Sequence, residues 1–345
     1  MNELADFCKN LKKDFAPKIR DSTKPVKCWS EKDVFKDEIV DTFVIIFRTR
    51  GCKWSIKSGC TMCGYHNDSL WGHVTEEDLL KQFETSMKKY NGEKFVKIFN
   101  SGSFLDDSEF KPSVRFEILR RLAKNADKIS IESRPEYITD DKLLDVKDAI
   151  QSKTFEIGIG LETANDFVRE HAINKGFTFD DYNTATDVLK KNKCQIKTYV
   201  IVKPPFLTEK ESIKDSIVTI DKIKDMTDII SLNPINVQRN TLIEYLWRRR
   251  QYCPTWLWSI IEILKEGKKI VGKKRIKCDI VGGGSFRGAN NCKNCNQKIL
   301  EAISSFSINQ EVSIFDDLKC ECYEKWLDQL DIERFGFGSL TCMYR

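Results

Sequence analysis

The chain predicts an α/β fold: an open, partial (β/α)6 barrel of the TIM type, with a small cysteine-rich metal-binding region towards its C-terminal end. Three observations carry that expectation. Between residues 40 and 235, short apolar runs alternate with longer amphipathic ones, the pattern of a parallel sheet joined by crossover helices. Six such units fall short of the eight that a closed barrel needs. The length, 345 residues, suits one barrel-sized core and a small appendage better than a string of modules. We divide the chain into an N-terminal extension (1–40), the barrel (41–240) and a C-terminal region (241–345).

In chain order, strands are expected at Thr42 to Phe47, Val96 to Phe99, Lys128 to Ile131, Phe155 to Ile159, Ile196 to Val202 and Ile229 to Leu232. Helices fall between them, at Glu76 to Tyr90, Ser113 to Asn125, Asp140 to Gln151, Phe179 to Lys191 and Glu209 to Met226. Thr75-Glu76-Glu77-Asp78 opens the first helix as a capping box, and Asn91-Gly92 closes it. In such a fold the C-terminal ends of the strands carry the chemistry.

Composition narrows the class. Hydrophobic residues make up 41% and charged residues 32%, a globular balance. The N-terminal sequence has no apolar stretch of signal-peptide length, and no segment is apolar for long enough to cross a bilayer, so the expected location is cytoplasmic, without membrane association. In that compartment thiols stay reduced, and thirteen cysteines read as metal ligands rather than disulfides. Cys8, Cys28, Cys194, Cys253, Cys278 and Cys342 stand alone and read as small buried hydrophobes. The net charge of +5 permits a polyanionic partner. Basic residues cluster near the start (Lys9, Lys12, Lys13, Lys18, Arg20, Lys24, Lys27), at Arg248-Arg249-Arg250 and from Lys268 to Lys277, including Lys273, Lys274 and Arg275.

The most informative motif follows the first strand: Cys52, Cys60 and Cys63, in the run from Arg50 to Tyr65. Three thiolates on one loop can hold three corners of an iron-sulfur cluster, which leaves the fourth iron open, whereas a purely electron-carrying cluster normally has four protein ligands. Small and charged residues then recur at the strand ends: Asn100 to Asp106, Glu132 to Tyr137, Gly158 to Thr163 and Lys203 to Phe206. Each alone reads as a turn with a solvated charge. Together they converge above the cysteine loop.

On these residues the chain resembles the radical S-adenosylmethionine enzymes, and within them the tRNA-modifying, elongator-like branch, over roughly residues 40 to 240. The departure is a gap of seven residues, rather than three, between the first two cysteines. Ile201 to Glu209, Leu232 to Gln238, Tyr252 to Ser259 and Gly283 to Cys292 resemble the archaeosine-synthesising radical enzymes, over nearly the whole chain. The resemblance implies a [4Fe-4S] cluster on Cys52, Cys60 and Cys63, with S-adenosylmethionine on the open iron. It places Met62 at an apolar position and the Tyr65 backbone against adenine. It sets Ser101, Gly102 and Ser103 at the methionine amino group, though the acidic residue usual there is missing, so that a water or another strand must supply the acceptor. Glu132, Arg134 and Glu162 correspond to ligands of the ribose and carboxylate. The implied substrate is a tRNA whose D-arm carries a 7-cyano-7-deazaguanine already joined to lysine by a partner transferase. An external donor supplies the electron. A radical route suits an unactivated carbon-nitrogen bond because it avoids an alkyl carbanion or cation; whether the bond breaks by β-scission or after oxidation next to nitrogen stays open.

A second constellation, Cys292, Cys295, Cys320 and Cys322, has the spacing of a closed four-thiolate site. Zinc is the first expectation and a second iron-sulfur cluster the rival, with Cys278 and Cys342 as spare ligands. Arg248, Arg249 and Arg250, with Lys273, Lys274 and Arg275, are the candidate RNA contacts. Trp247, Trp256 and Trp258 read as core before they read as base-stacking platforms. Two other readings remain at this point: a different elongator-like tRNA-modifying radical enzyme, and a non-catalytic metal- and RNA-binding protein.

Overall fold

Each predicted apolar run does become a strand, and the strands line up in chain order. The computed structural model describes residues 3–12, 20–70, 72 and 74–335; Lys13, Lys18 and Cys342 lie outside these. The strands are β1 (Lys27–Phe35), β2 (Glu38–Ile46), β3 (Phe95–Phe99), β4 (Lys128–Glu132), β5 (Thr154–Glu162), β6 (Gln195–Val202), β7 (Ile229–Pro234) and β8 (Arg275–Cys278). They form one eight-stranded sheet in the order β1 to β8. β1 runs antiparallel to β2, and every later neighbour pair is parallel. Two strands thus join the predicted six: β1 within residues 1–40, and β8 within the basic stretch of the C-terminal region.

The helices are α1 (Glu3–Asn10), α2 (Lys53–Lys57), α3 (Glu76–Met87), α4 (Pro112–Leu122), α5 (Asp140–Ile150), α6 (Asp166–Val168), α7 (Phe179–Lys191), α8 (Glu209–Ile223), α9 (Leu242–Arg248), α10 (Leu257–Val271), α11 (Asn296–Asn309) and α12 (Cys322–Ile332). Thr75 caps α3 with Asp78 as expected, and Thr178 with Asp181 and Thr208 with Glu211 repeat the device on α7 and α8. None of the described helices is long and apolar enough to cross a membrane.

Alternation along each strand divides the sheet into two faces. Val96, Ile98, Ile129, Ile131, Ile157 and Ile196 are buried against the helices together with Leu79, Phe83 and Ile118. The same core continues through Trp258, Phe306, Phe315 and Trp326, so α10 to α12 are packed onto the barrel. The opposite face is charged. Glu156 accepts from Lys197 at 2.6 Å and Ser130 at 2.7 Å, and pairs with Lys128 at 2.5 Å. Lys97 bridges Glu31 at 2.7 Å and Asp33 at 2.5 Å, both on β1. β1 and β8 share no ladder. Lys277 of β8 instead reaches Asp33 of β1 at 3.4 Å, beside a cavity of about 520 Å³.

The solitary cysteines divide. Cys8 and Cys278 are buried and Cys28 and Cys194 half-buried, but Cys253 is exposed, which corrects the expectation for that residue. Trp258 is buried, while Trp256 is partly so and donates to Gln329 at 2.8 Å.

Candidate functional site

Beyond β2 the chain enters the cysteine loop at Gly51, whose φ of +100° suits glycine. The wide gap between Cys52 and Cys60 is occupied by α2. Trp54 of that helix donates to Asn174 O at 2.7 Å, and its ring lies so close to Gly176 that a Cβ there would meet it at 2.5 Å. Asn174 donates back to Ser58 Oγ and to Gly59 O, both at 2.7 Å. Thr61 is bonded on both sides, its N–H to Ile173 O at 2.9 Å and its O accepting from Ile243 N–H at 3.2 Å. The Gly64 N–H reaches Gln238 at 2.7 Å. The loop is therefore held by the β5–α7 connection on one side and by the approach to α9 on the other. Met62 packs with Ile173, Ile243 and Trp247, the apolar setting expected of it.

Cys52, Cys60 and Cys63 are half-buried, and their charges act on one another. Burial first, then the charge of Cys60, pushes the Cys63 thiol up to about 12. Three thiolates packed this way need cations to persist. The sulfurs do not all lie within 4.8 Å of one another, as four others in the chain do.

The strand ends close over this loop. Gly102 lies directly above Cys52: a Cβ on it would sit 2.8 Å from Cys52 Cα and 1.8 Å from Glu109 Oε1. Ser101 donates to Tyr65 O at 3.3 Å. Ser103 is fully buried, and its hydroxyl accepts from the Arg134 N–H at 3.0 Å, so it braces two strand ends rather than facing the opening. Glu132 is bonded to Tyr199 and adjoins Glu162. Glu162 adopts a left-handed φ of +70° and pairs with Lys175 at 2.5 Å. Such strain in a non-glycine residue collects at functional sites. Arg134 donates to Lys175 O at 3.0 Å and to Glu136 at 2.5 Å, with its guanidinium over the rings of Trp54 and Phe177.

Sequence reasoning missed two groups here. Glu109 is the carboxylate beside the small-residue segment: it accepts from Ser103 N–H and Asn100 at 2.8 Å and from Thr49 at 2.5 Å. Burial raises its carboxyl to about 7, against the pull of those hydrogen bonds. Lys175 adds a second cation beside Arg134; its proximity to the conspicuous Gly160 and Glu162 is a matter of folding, not of spacing.

The second constellation assembles as its spacing implies. Cys292 lies 3.5 Å from Cys295 and 3.4 Å from Cys320, and Cys295 lies 3.5 Å from Cys322, sulfur to sulfur. The Trp258 indole donates to Cys322 at 3.3 Å. Cys278, on β8, is not part of this group.

The basic residues separate. Arg248, Arg249 and Arg250 are exposed at the end of α9, beside the cysteine loop; Arg249 covers Tyr245, and Arg248 pairs with Glu244 at 3.1 Å. Lys273, Lys274 and Arg275 lie at the opposite, N-terminal end of the strands. Lys274 donates to Lys224 O at 2.5 Å and Thr227 O at 3.0 Å, and Arg275 to Ser307 O and Ile308 O. These two cations satisfy carbonyls at the ends of α8 and α11, where the helix dipole favours them. Lys273 is exposed, and this second basic stripe lies at the other end of the sheet from the triplet.

A curled parallel sheet with three cysteines on the loop after its first parallel strand defines a radical S-adenosylmethionine enzyme, and the chain belongs to that superfamily: the Radical SAM superfamily model matches residues 46–217. Membership implies a [4Fe-4S] cluster and S-adenosylmethionine, and three thiols on one loop with the cradle at Gly102 above them fit such a group. The particular likeness is to archaeosine synthase subunit beta. The chain is 40% identical to that protein of Methanosarcina acetivorans over 324 residues, 92% of this chain and 93% of the relative. It is 37% identical to that of Thermococcus kodakarensis over 305 residues, 86% and 94% of the two. Among solved structures, Methanocaldococcus infernus Elp3 matches with a TM-score of 0.47 at 13% identity, covering 68% of this chain and 59% of that one. Methylornithine synthase (PylB) matches with a TM-score of 0.48 at 13% identity, covering 80% and 70%.

Proposed function

We propose that this enzyme converts a lysine adduct of 7-cyano-7-deazaguanine in the tRNA D-arm to archaeosine by radical carbon-nitrogen bond cleavage, together with a lysine-transferring partner and an external electron donor. The observation that carries this reading is the near full-length likeness to archaeosine synthase subunit beta; the name of that relative also supports a partner subunit. When bound, the cluster and S-adenosylmethionine supply a hydrogen-abstracting radical. The chain's own part is to bind, orient and exclude. Cys52, Cys60 and Cys63 hold the iron. Arg134 and Lys175 offer the positive charge that a carboxylate needs, while Glu132 and Glu162 offer acceptors for ribose hydroxyls. Gly102 lets backbone approach closely, with Ser101 and the Tyr65 carbonyl at the rim.

Arg248, Arg249 and Arg250 are proposed to take tRNA phosphates; the bond from α9 to the cysteine loop, Ile243 N–H to Thr61 O, supports this. Protein reconstituted anaerobically with iron and sulfide, then given the partner's lysine-adduct tRNA, is expected to form archaeosine. Persistence of the adduct while S-adenosylmethionine is cleaved would exclude this substrate. Reversing the three arginines should reduce the slope of log affinity against log salt by about one for each phosphate that is no longer neutralised. An unchanged slope would remove them from the interface.

Cys292, Cys295, Cys320 and Cys322 are proposed to hold one zinc ion. Arms of about 2.3 Å give a tetrahedron with edges of roughly 3.8 Å, close to the sulfur spacings here, whereas an iron-sulfur cubane spreads its thiolates more widely. A closed site of this kind staples α11 and α12 to α10. Metal analysis of a variant lacking Cys52, Cys60 and Cys63 should find about one zinc per chain and little iron. Four irons without zinc would make it a second cluster.

A further inference from the structure

A seven-residue gap between the first two thiols poses a problem that a shorter one does not. α2 is barely longer than one turn, and the carbonyls at its C-terminal end have no partners within the helix. One ammonium group meets them. Lys12, just beyond α1, donates from Nζ to Ser55 O at 2.9 Å, to Ser55 Oγ at 3.2 Å and to Ser58 O at 2.8 Å. Its three donors are thereby all used. Gly59 makes room for it: the backbone there has φ +97°, and a Cβ would lie 1.9 Å from Lys12 Nζ.

α1 is itself anchored on both flanks. Ser58 Oγ donates to Ala5 O at 3.3 Å, and the Phe7 ring meets Tyr245 of α9 edge-on at 5.1 Å. Cys8 is buried. The Lys12 charge is felt at Cys63, Cys60 and Cys52.

We infer that Lys12 is a positioning residue of the cysteine loop: its ammonium closes the C-terminal end of α2 and fixes the spacing of the three thiolates, which ties the N-terminal helix to the metal-binding site. Bracing of the loop follows from the polypeptide alone, while an electrochemical effect rests on the triplet holding a cluster. A fixed positive charge close to a cluster favours the added electron, so its loss makes reduction harder.

The test uses the full chain in two states. Without iron, Lys12→Met should be cut by trypsin after the exposed Lys53 and Lys57 at least about tenfold faster than the unmodified protein, because hydrogen bonds from a charged donor are removed. Gly59→Ala, which fills the place of Nζ, should behave alike. Lys12→Arg, which keeps charge and donors, should restore most of the protection. After reconstitution, the midpoint potential of Lys12→Met should lie below that of the unmodified protein, with Lys12→Arg close to it. Equal cleavage rates in Lys12→Met and the unmodified protein would overturn the inference. Faster cleavage in a protein that takes up no cluster would uphold the bracing and overturn the cluster reading instead.

Discussion

Replacing any one of Cys52, Cys60 and Cys63 by alanine is expected to reduce deoxyadenosine formation from S-adenosylmethionine to background. On the proposed assignment the open coordination position exists only while all three thiolates are ligands, so two remaining sulfurs cannot leave one defined iron for the cofactor. The fold should survive. All three residues are half-buried on a loop outside the main core, and the contacts that hold the loop come from Trp54, Thr61, Gly64 and Asn174 rather than from sulfur. An unchanged far-UV spectrum, with no product, is the expected pair of results. Full cleavage by the triple-alanine protein would show that the electron enters elsewhere.

Glu156→Gln is expected to be the most destabilising single exchange inside the barrel, at about 3–5 kcal/mol, because it leaves buried ammonium groups without their counter-charge. Glu156 is fully buried between Lys128 and Lys197. Burial works against its charge, yet the charges of Lys197 and then Lys128 hold its carboxyl down to about 2. The sign for pH follows. A carboxyl lowered by folding contributes stability above its unfolded value, about 4.3, and that contribution is lost as pH falls towards 2. The Gln variant should lack this part of the acid dependence. Denaturant unfolding of both proteins between pH 5 and the lowest pH they tolerate is the measurement. A loss below about 1 kcal/mol would mean that water or a shifted lysine compensates.

The legible part of the fold was the part whose chemistry agrees with its neighbours in sequence. Strands β2 to β7 announce themselves because apolar side chains form an unbroken outer face, and α3 is announced by Thr75 and Asp78. β1 was illegible for the opposite reason. Its inward face carries Glu31 and Asp33, which pair with Lys97, so the run reads as a charged linker until the partner arrives from another strand. Four-residue β8 hid in a basic stretch. There Lys274 and Arg275 look like phosphate ligands in sequence, but in the fold they satisfy helix carbonyls.

Within the site, both cysteine groups could be read from spacing, as could the converging strand ends. Glu109 and Lys175 could not, since neither belongs to a motif. Only the fold brings Glu109 behind Gly102 and Lys175 onto Glu162.

The Lys277–Asp33 contact has a consequence for the barrel's interior. A barrel closed by a full ladder has an axis packed with layers of side chains, most of them branched and apolar. This one is left unzipped along one side, where a charge pair and a cavity of about 520 Å³ stand in for the closing ladder. The cavity reaches only Glu31, Asp33 and Lys277 at the flank, while deeper in the axis Lys128, Lys197 and Glu156 are buried and tolerable because they pair with one another. The charged lumen therefore runs out to the open flank, where Asp33 serves Lys97 on one side and Lys277 on the other.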